Sequence, residues 1–244
     1  MNTRIMFALL SVLTGTLVAQ SPTPDQVVST YRVKPKPGKS QELEKALVAH
    51  AEQYHKGDQA WRIFRVMTGE DSGMIQITEG SATFASLEER GDLGAAHTAH
   101  YTDHVLPLIA STGQERMSRV MSEYGTATPV TPAKKVLMRY FYAKPGQIGN
   151  LLKQIKLLKP AWEKLGWEVV VYQSFYSGQT RVATARRLKN GFKDITPDAN
   201  QKYTETFDGI HGAGAYDKLL NAVGATVTRV DETILDFVAS PNKS

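Results

Sequence analysis

The sequence contains no cysteine. That absence removes disulfides, thiolate nucleophiles, iron–sulfur ligation and every cysteine-based zinc site. Charge blocks are missing too: lysine and arginine are scattered, never interleaved with aromatics as in a groove for single-stranded nucleic acid, so the net charge of +5 reads as a solvated, mildly basic surface. Several motifs are absent: no Gly-x-Gly-x-x-Gly at a strand–helix junction, no Walker lysine, no Gly-x-Ser-x-Gly elbow and no His-Glu-x-x-His. The glycine-rich Gly209-Ile-His-Gly-Ala-Gly214 follows a helical stretch rather than a strand, which argues against a phosphate cradle. Beyond the N-terminus no apolar run is long enough to span a bilayer.

The N-terminus itself is different. Arg4 precedes the apolar run from Ile5 to Val18, and the small residue Ala19 stands where cleavage would fall. Residues 1–19 therefore read as a secretory signal peptide, and the mature chain is expected to be periplasmic or secreted and free of the membrane. Residues 20–25, polar and proline-bearing, are expected to form a disordered leader.

What the sequence does contain is a duplication. Tyr31-Arg-Val-Lys-Pro-Lys-Pro-Gly38 and Arg139-Tyr-Phe-Tyr-Ala-Lys-Pro-Gly146 are two copies of one strand-to-helix junction, with Lys-Pro-Gly recurring 108 residues later. In each copy an alternating strand comes first, at residues 27–34 and 135–142. An amphipathic helix follows, with Leu43, Ala46, Leu47, His50 and Tyr54 on one face in the first copy and Ile148, Leu151, Leu152, Ile155, Leu158 and Trp162 in the second. Then comes a hairpin, 60–67 with 73–78 and 167–174 with 180–185. Helical stretches at 82–90 and 95–111, and at 201–207 and 213–223, precede a last strand at 116–124 or 226–238. Residues 126–133, carrying Pro129 and Pro132, read as a linker, so the first repeat spans about 26–125 and the second 134–240.

The order β-α-β-β-α-β, twice over, predicts an α+β chain of two ferredoxin-like repeats whose antiparallel sheets pack into a pseudo-dimeric barrel. The chain is then expected to be a monomer with an internal pseudo-dimer. This order, with the Lys-Pro-Gly junction in both copies, resembles the dimeric α+β barrel superfamily. That group includes antibiotic-biosynthesis monooxygenases, haem-degrading monooxygenases, chlorite dismutases and NIPSNAP-like proteins. The resemblance covers essentially the whole mature chain, and it implies a pocket between the bare sheet face and the second helical region of each repeat. In the first repeat that roof is Leu93–Pro107. Monooxygenase-like members often carry a histidine near this place, which His97 or His100 would match.

His97, His100 and His104 stand at i, i+3 and i+7, within an arc of about 60° on one helical face shared by Tyr101. His97 and His104 would lie about 10 Å apart along the axis, too far to share an ion, whereas His100 and His104 have the i, i+4 spacing of a metal pair. His50 reads as a core residue, His55 as a helix-end residue, and His211 as an accessible loop residue. The second copy lacks the cluster, so the first half is the expected place of any chemistry.

Three functions stay open at this point. The leading one is an exported binder of a small organic molecule, needing no cofactor, with oxygenase-like or isomerase-like chemistry. There His97 or His100 acts as general base, Arg32 or Arg65 holds developing negative charge, and Tyr101, His104 and Tyr140 complete the ligand site. Charged strand residues facing a barrel interior would suit an anionic, aromatic ligand. The second is a non-catalytic binding or scaffold protein. The third is a haem- or metal-binding protein using the histidine stripe.

Overall fold

The computed structural model describes residues 25–129, 133–175 and 178–240. The expected signal peptide at 1–19, residues 20–24 of the leader and residues 130–132 of the linker lie outside the described residues.

The first repeat runs β1 (Gln26–Pro35), α1 (Ser40–Tyr54), β2 (Trp61–Val66), β3 (Ile75–Thr83), α2 (Phe84–Glu89), α3 (Ala95–His100), β4 (Ile109–Thr112) and β5 (Arg116–Val120). The second runs β6 (Lys135–Ala143), α4 (Ile148–Lys164), β7 (Val169–Phe175), β8 (Arg181–Leu188), α5 (Pro197–His211), α6 (Ala215–Thr226) and β9 (Val227–Ala239). Both Lys-Pro-Gly junctions are built alike. Gly38 and Gly146 sit at φ 75° and 74°, a left-handed conformation that glycine adopts without steric cost. The backbone N–H groups of Lys36 and Lys144 donate to the carbonyls of Leu108 and Thr226, each at 2.9 Å, pinning each junction to the end of its second helical region.

The strands of each repeat pair in the order second, third, first, last: β2-β3-β1-β5 and β7-β8-β6-β9. The two sheets join edge to edge, β2 against β9 and β5 against β7, which closes eight strands into an antiparallel barrel related by a pseudo-two-fold. β4 lies outside that ring, paired only with the end of β1. Alternation along the strands separates three cores. Val28, Phe64, Val66, Val120, Val136, Met138, Tyr140 and Leu235 fill the barrel. Leu43, Leu47, Trp61, Ile63 and Ile77 pack between the first sheet's outer face and α1. Leu151, Ile155, Trp162, Val171, Phe207 and Leu219 do the same under α4–α6.

One segment departs from the expected pattern. A helix over 95–111 does not form: α3 ends at His100, residues 101–105 make a wider π turn whose Leu106 N–H bonds the Tyr101 carbonyl, and the chain then enters β4. Val105 and Leu108 are thereby delivered to the first outer core.

Candidate functional site

Two sites occupy equivalent places in the two halves, and they differ in character. In the second half the space between sheet and helices is an open cleft of about 500 Å3. Its floor is the outward row of β6, β7, β8 and β9, including Arg139, Thr184 and Arg186, and its walls come from Trp162 on α4, Tyr203 on α5 and Tyr216 and Leu219 on α6. The aromatic wall is ordered. Trp167 stacks on Tyr203 with centroids 4.8 Å apart and planes 12° apart, and Tyr216 meets Tyr203 edge-on at 5.5 Å.

Arg186 brings charge into this wall. Its guanidinium carbon lies 3.2 Å from the Trp167 ring centroid, Nη2 donates to the Asp194 carbonyl at 2.6 Å, and the residue is only 9% exposed. Its Nε is buried with no hydrogen-bond partner among the described residues. Burial lowers its pKa to about 10 against the opposing pull of Asp194. Arg139 at the rim pairs with Glu232. Burial pushes the Tyr203 and Tyr216 hydroxyls up, so both stay protonated near neutrality. No histidine lines the cleft among the described residues, and His211, exposed at the end of α5, is turned to the Leu157 carbonyl at 3.0 Å. Haem held by an axial imidazole does not match this donor set.

In the first half the matching region is filled with imidazoles. His50 projects from α1, His55 from the residue that ends it, and His97 and His100 from α3. His97 Nε2 lies 3.3 Å from His55 Nε2, and His50 Nδ1 lies 3.1 Å from His100 Nδ1. His50 is fully buried, and its Nε2 has no partner among the described residues. Desolvation, then the neighbouring His55, His97 and His100, lower its pKa to about 3; burial and His55 lower that of His97 too. Trp61 stacks on His55 at 3.8 Å and donates from Nε1 to Glu79 Oε2 at 2.9 Å. Glu79 in turn faces His55 Nδ1 at 3.4 Å and pairs with Arg90. Burial alone would raise the Glu79 pKa, but its polar contacts with His55, Trp61 and Arg90 outweigh it and bring it to about 2.

The residues singled out from sequence thus divide into three places. His97, His100 and Tyr101 converge on His50, the Tyr101 ring at 5.3 Å from it, while His104 is exposed and touches only the edge of this group, 4.6 Å from the His100 ring. Arg32 and Tyr140 do meet, at one mouth of the barrel: Arg32 Nη2 donates to Tyr140 Oη at 3.0 Å, and its other N–H groups engage Asp71 and Gln76. Arg65 lies on the surface, bidentate to Glu44 of α1 at 2.8 and 2.7 Å. Neither arginine is brought to the histidines. From sequence His50 reads as a core residue and His55 as a helix-end residue, and a five-residue separation points two side chains to different faces of a regular helix. His55 rejoins His50 only because the chain leaves the helix there, at φ −106° and ψ 92°. Arg186 falls one residue past the strand expected at 180–185, whereas the strand runs to Leu188.

No known protein-family profile matches the chain, and no curated protein matches its sequence. Solved structures do match its fold. An anthrone oxidase-like protein superposes with a TM-score of 0.58 at 14% identity, over 89% of this chain and 93% of its own. A proposed monooxygenase from Fusobacterium nucleatum gives 0.59 at 10% identity over 91% and 96%, and another from Lactobacillus acidophilus 0.55 at 10% over 89% and 97%.

Proposed function

Because the chain has the dimeric α+β barrel fold in single-chain form, we propose that it binds a flat, anionic aromatic molecule in the cleft of its second half. The observation that carries this reading is Arg186, a cation buried against Trp167 in an aromatic cleft of about 500 Å3, with only a neutral carbonyl as hydrogen-bond acceptor among the described residues. A carboxylate or phenolate beside it supplies the missing counter-charge, and Trp167, Tyr203 and Tyr216 offer faces and edges for a ring system. The description of one structural neighbour as anthrone oxidase-like concerns a planar ketone of similar shape.

The reading is one of binding first. Glu232, the sole acid of the cleft lining, is held by Arg139, and no imidazole reaches the cleft among the described residues. Oxygenase-like turnover here therefore falls to substrates that ionise without a protein base. Export belongs to the same proposal and is checked by cell fractionation: a mature chain starting near residue 20 supports it, and an intact cytosolic chain retaining Met1 overturns it.

Tryptophan fluorescence titration with anthraquinone-2-carboxylate and with neutral anthraquinone tests the cleft. Saturable binding of the acid is expected, weakened about tenfold or more in Arg186→Gln, with the neutral analogue hardly affected. Equal binding of both compounds, no binding of the acid, or an affinity indifferent to Arg186→Gln overturns the reading.

A further inference from the structure

The histidine cluster of the first half is built as a ligand set. One ring nitrogen from each of His50, His55 and His97 falls within 4.8 Å of the others. A tetrahedral Zn2+ at about 2.0–2.1 Å from its nitrogens separates them by about 3.3 Å. The His55 Nε2 to His97 Nε2 distance is already 3.3 Å, so one edge of the polyhedron is in place. Binding an ion would require the remaining ring nitrogens, within 4.8 Å of one another, to draw closer by rotation of the rings. Three neutral imidazoles, with no thiolate or carboxylate among the ligands, suit a borderline first-row divalent ion.

The outer partners make the arrangement more than a crowd of rings. His55 Nδ1 faces Glu79 at 3.4 Å without hydrogen-bond geometry, and a proton held on that side would leave the lone pair on its Nε2; if His50 donates from Nδ1 to His100, the same holds for its Nε2. Glu79 is itself fixed by Trp61 and Arg90. Such carboxylate–imidazole pairs orient metal-bound histidines and raise their basicity. His50 Nε2 is the independent sign that something is missing: an acceptor fully buried on α1, with no donor among the described residues.

We propose that His50, His55 and His97 bind one Zn2+-class divalent ion through their Nε2 atoms, with Glu79 and His100 as outer partners and a fourth position left to solvent. The ion would tie the end of α1 to α3. This assignment differs from the His100 and His104 pair that helical spacing alone offered, because the π turn leaves His104 exposed. It does not depend on the ligand proposed for the second half.

The test uses the whole chain, purified without a histidine tag and stripped with chelator. Calorimetric titration with Zn2+ is expected to give one ion per chain, and Co2+ to give the intense visible absorption of four-coordinate sites. His97→Ala, on the half-exposed helix, should weaken Zn2+ binding more than about 100-fold, and Glu79→Gln by about 10–100-fold. His211→Ala should leave it unchanged. A second measurement needs no variant: the Co2+ form should show three paramagnetically shifted, exchangeable imidazole N–H signals in its proton NMR spectrum. Failure of the wild-type chain to bind either ion, binding that survives His97→Ala, or fewer than three such signals overturns the proposal.

Discussion

Tyr203 stacks on Trp167 and packs near Phe207, and its hydroxyl is among those that burial pushes furthest from the ordinary tyrosine value. The neighbouring Tyr216 pushes it further up, while Arg139 and a hydrogen bond with Trp162 pull back. A raised pKa means that the folded chain holds the proton more tightly than the unfolded chain, which releases it near pH 10. Stability contributed by this group is whole below pH 10 and is lost as pH rises toward the folded-state value. Tyr31 and Tyr172 are shifted the same way, chiefly by burial. Burial acts in the opposite sense on Arg186, disfavouring its charged form and lowering its pKa. The difference between variants isolates Tyr203. Urea midpoints measured from pH 8 to pH 11 are expected to fall less steeply for Tyr203→Phe than for the unsubstituted chain; identical slopes would contradict the assignment.

The Lys-Pro-Gly junctions are where sequence and structure correspond best, because each is local: a strand, a turn requiring positive φ and a helix, all within a dozen residues. Gly38 and Gly146 have matching angles, and a Cβ added at either meets nothing within 4 Å, so the cost of Ala is backbone strain alone. Gly38→Ala and Gly146→Ala should each destabilise by about 1–2 kcal/mol, and by equal amounts. Chemical denaturation checks this; a clear inequality would show that the two junctions are not mechanical equivalents. Elements whose character depends on distant partners were less legible. The stretch after His100 has helical spacing throughout, yet Ile109–Thr112 becomes a strand because the end of β1 offers it a ladder. The histidines show the same limit. His97 and His100 were visible as a stripe, but their partners His50 and His55 come from a helix and its terminus some fifty residues away. Trp167 stands first in the strand expected at 167–174, while the role of Arg186 rests on the tryptophan ring beneath it.

At the scale of the molecule, the two repeats depend on each other through a shared interior. Val28, Phe64 and Val120 of the first half pack against Val136, Met138, Tyr140 and Leu235 of the second, so either half alone exposes an apolar sheet face to water. It also bares two strands: β2 and β5 lose β9 and β7, and each unpaired edge invites another chain. Ion pairs cross the seam as well, Arg65 reaching Asp236 at 3.9 Å, but at half-exposed positions they add little to the buried apolar surface. The closed ring has no free edge of its own, so the intact chain is expected to be a monomer by light scattering. Expressed separately, residues 25–129 and 133–240 should behave differently, each running as a dimer or larger species that rebuilds a barrel from two like halves. Mixed after joint refolding, they should give a one-to-one complex in preference, because only the mixed pair restores the native contacts at both seams. A half that remains a folded monomer in solution would contradict this dependence, and with it the view that the duplication exists to close one barrel.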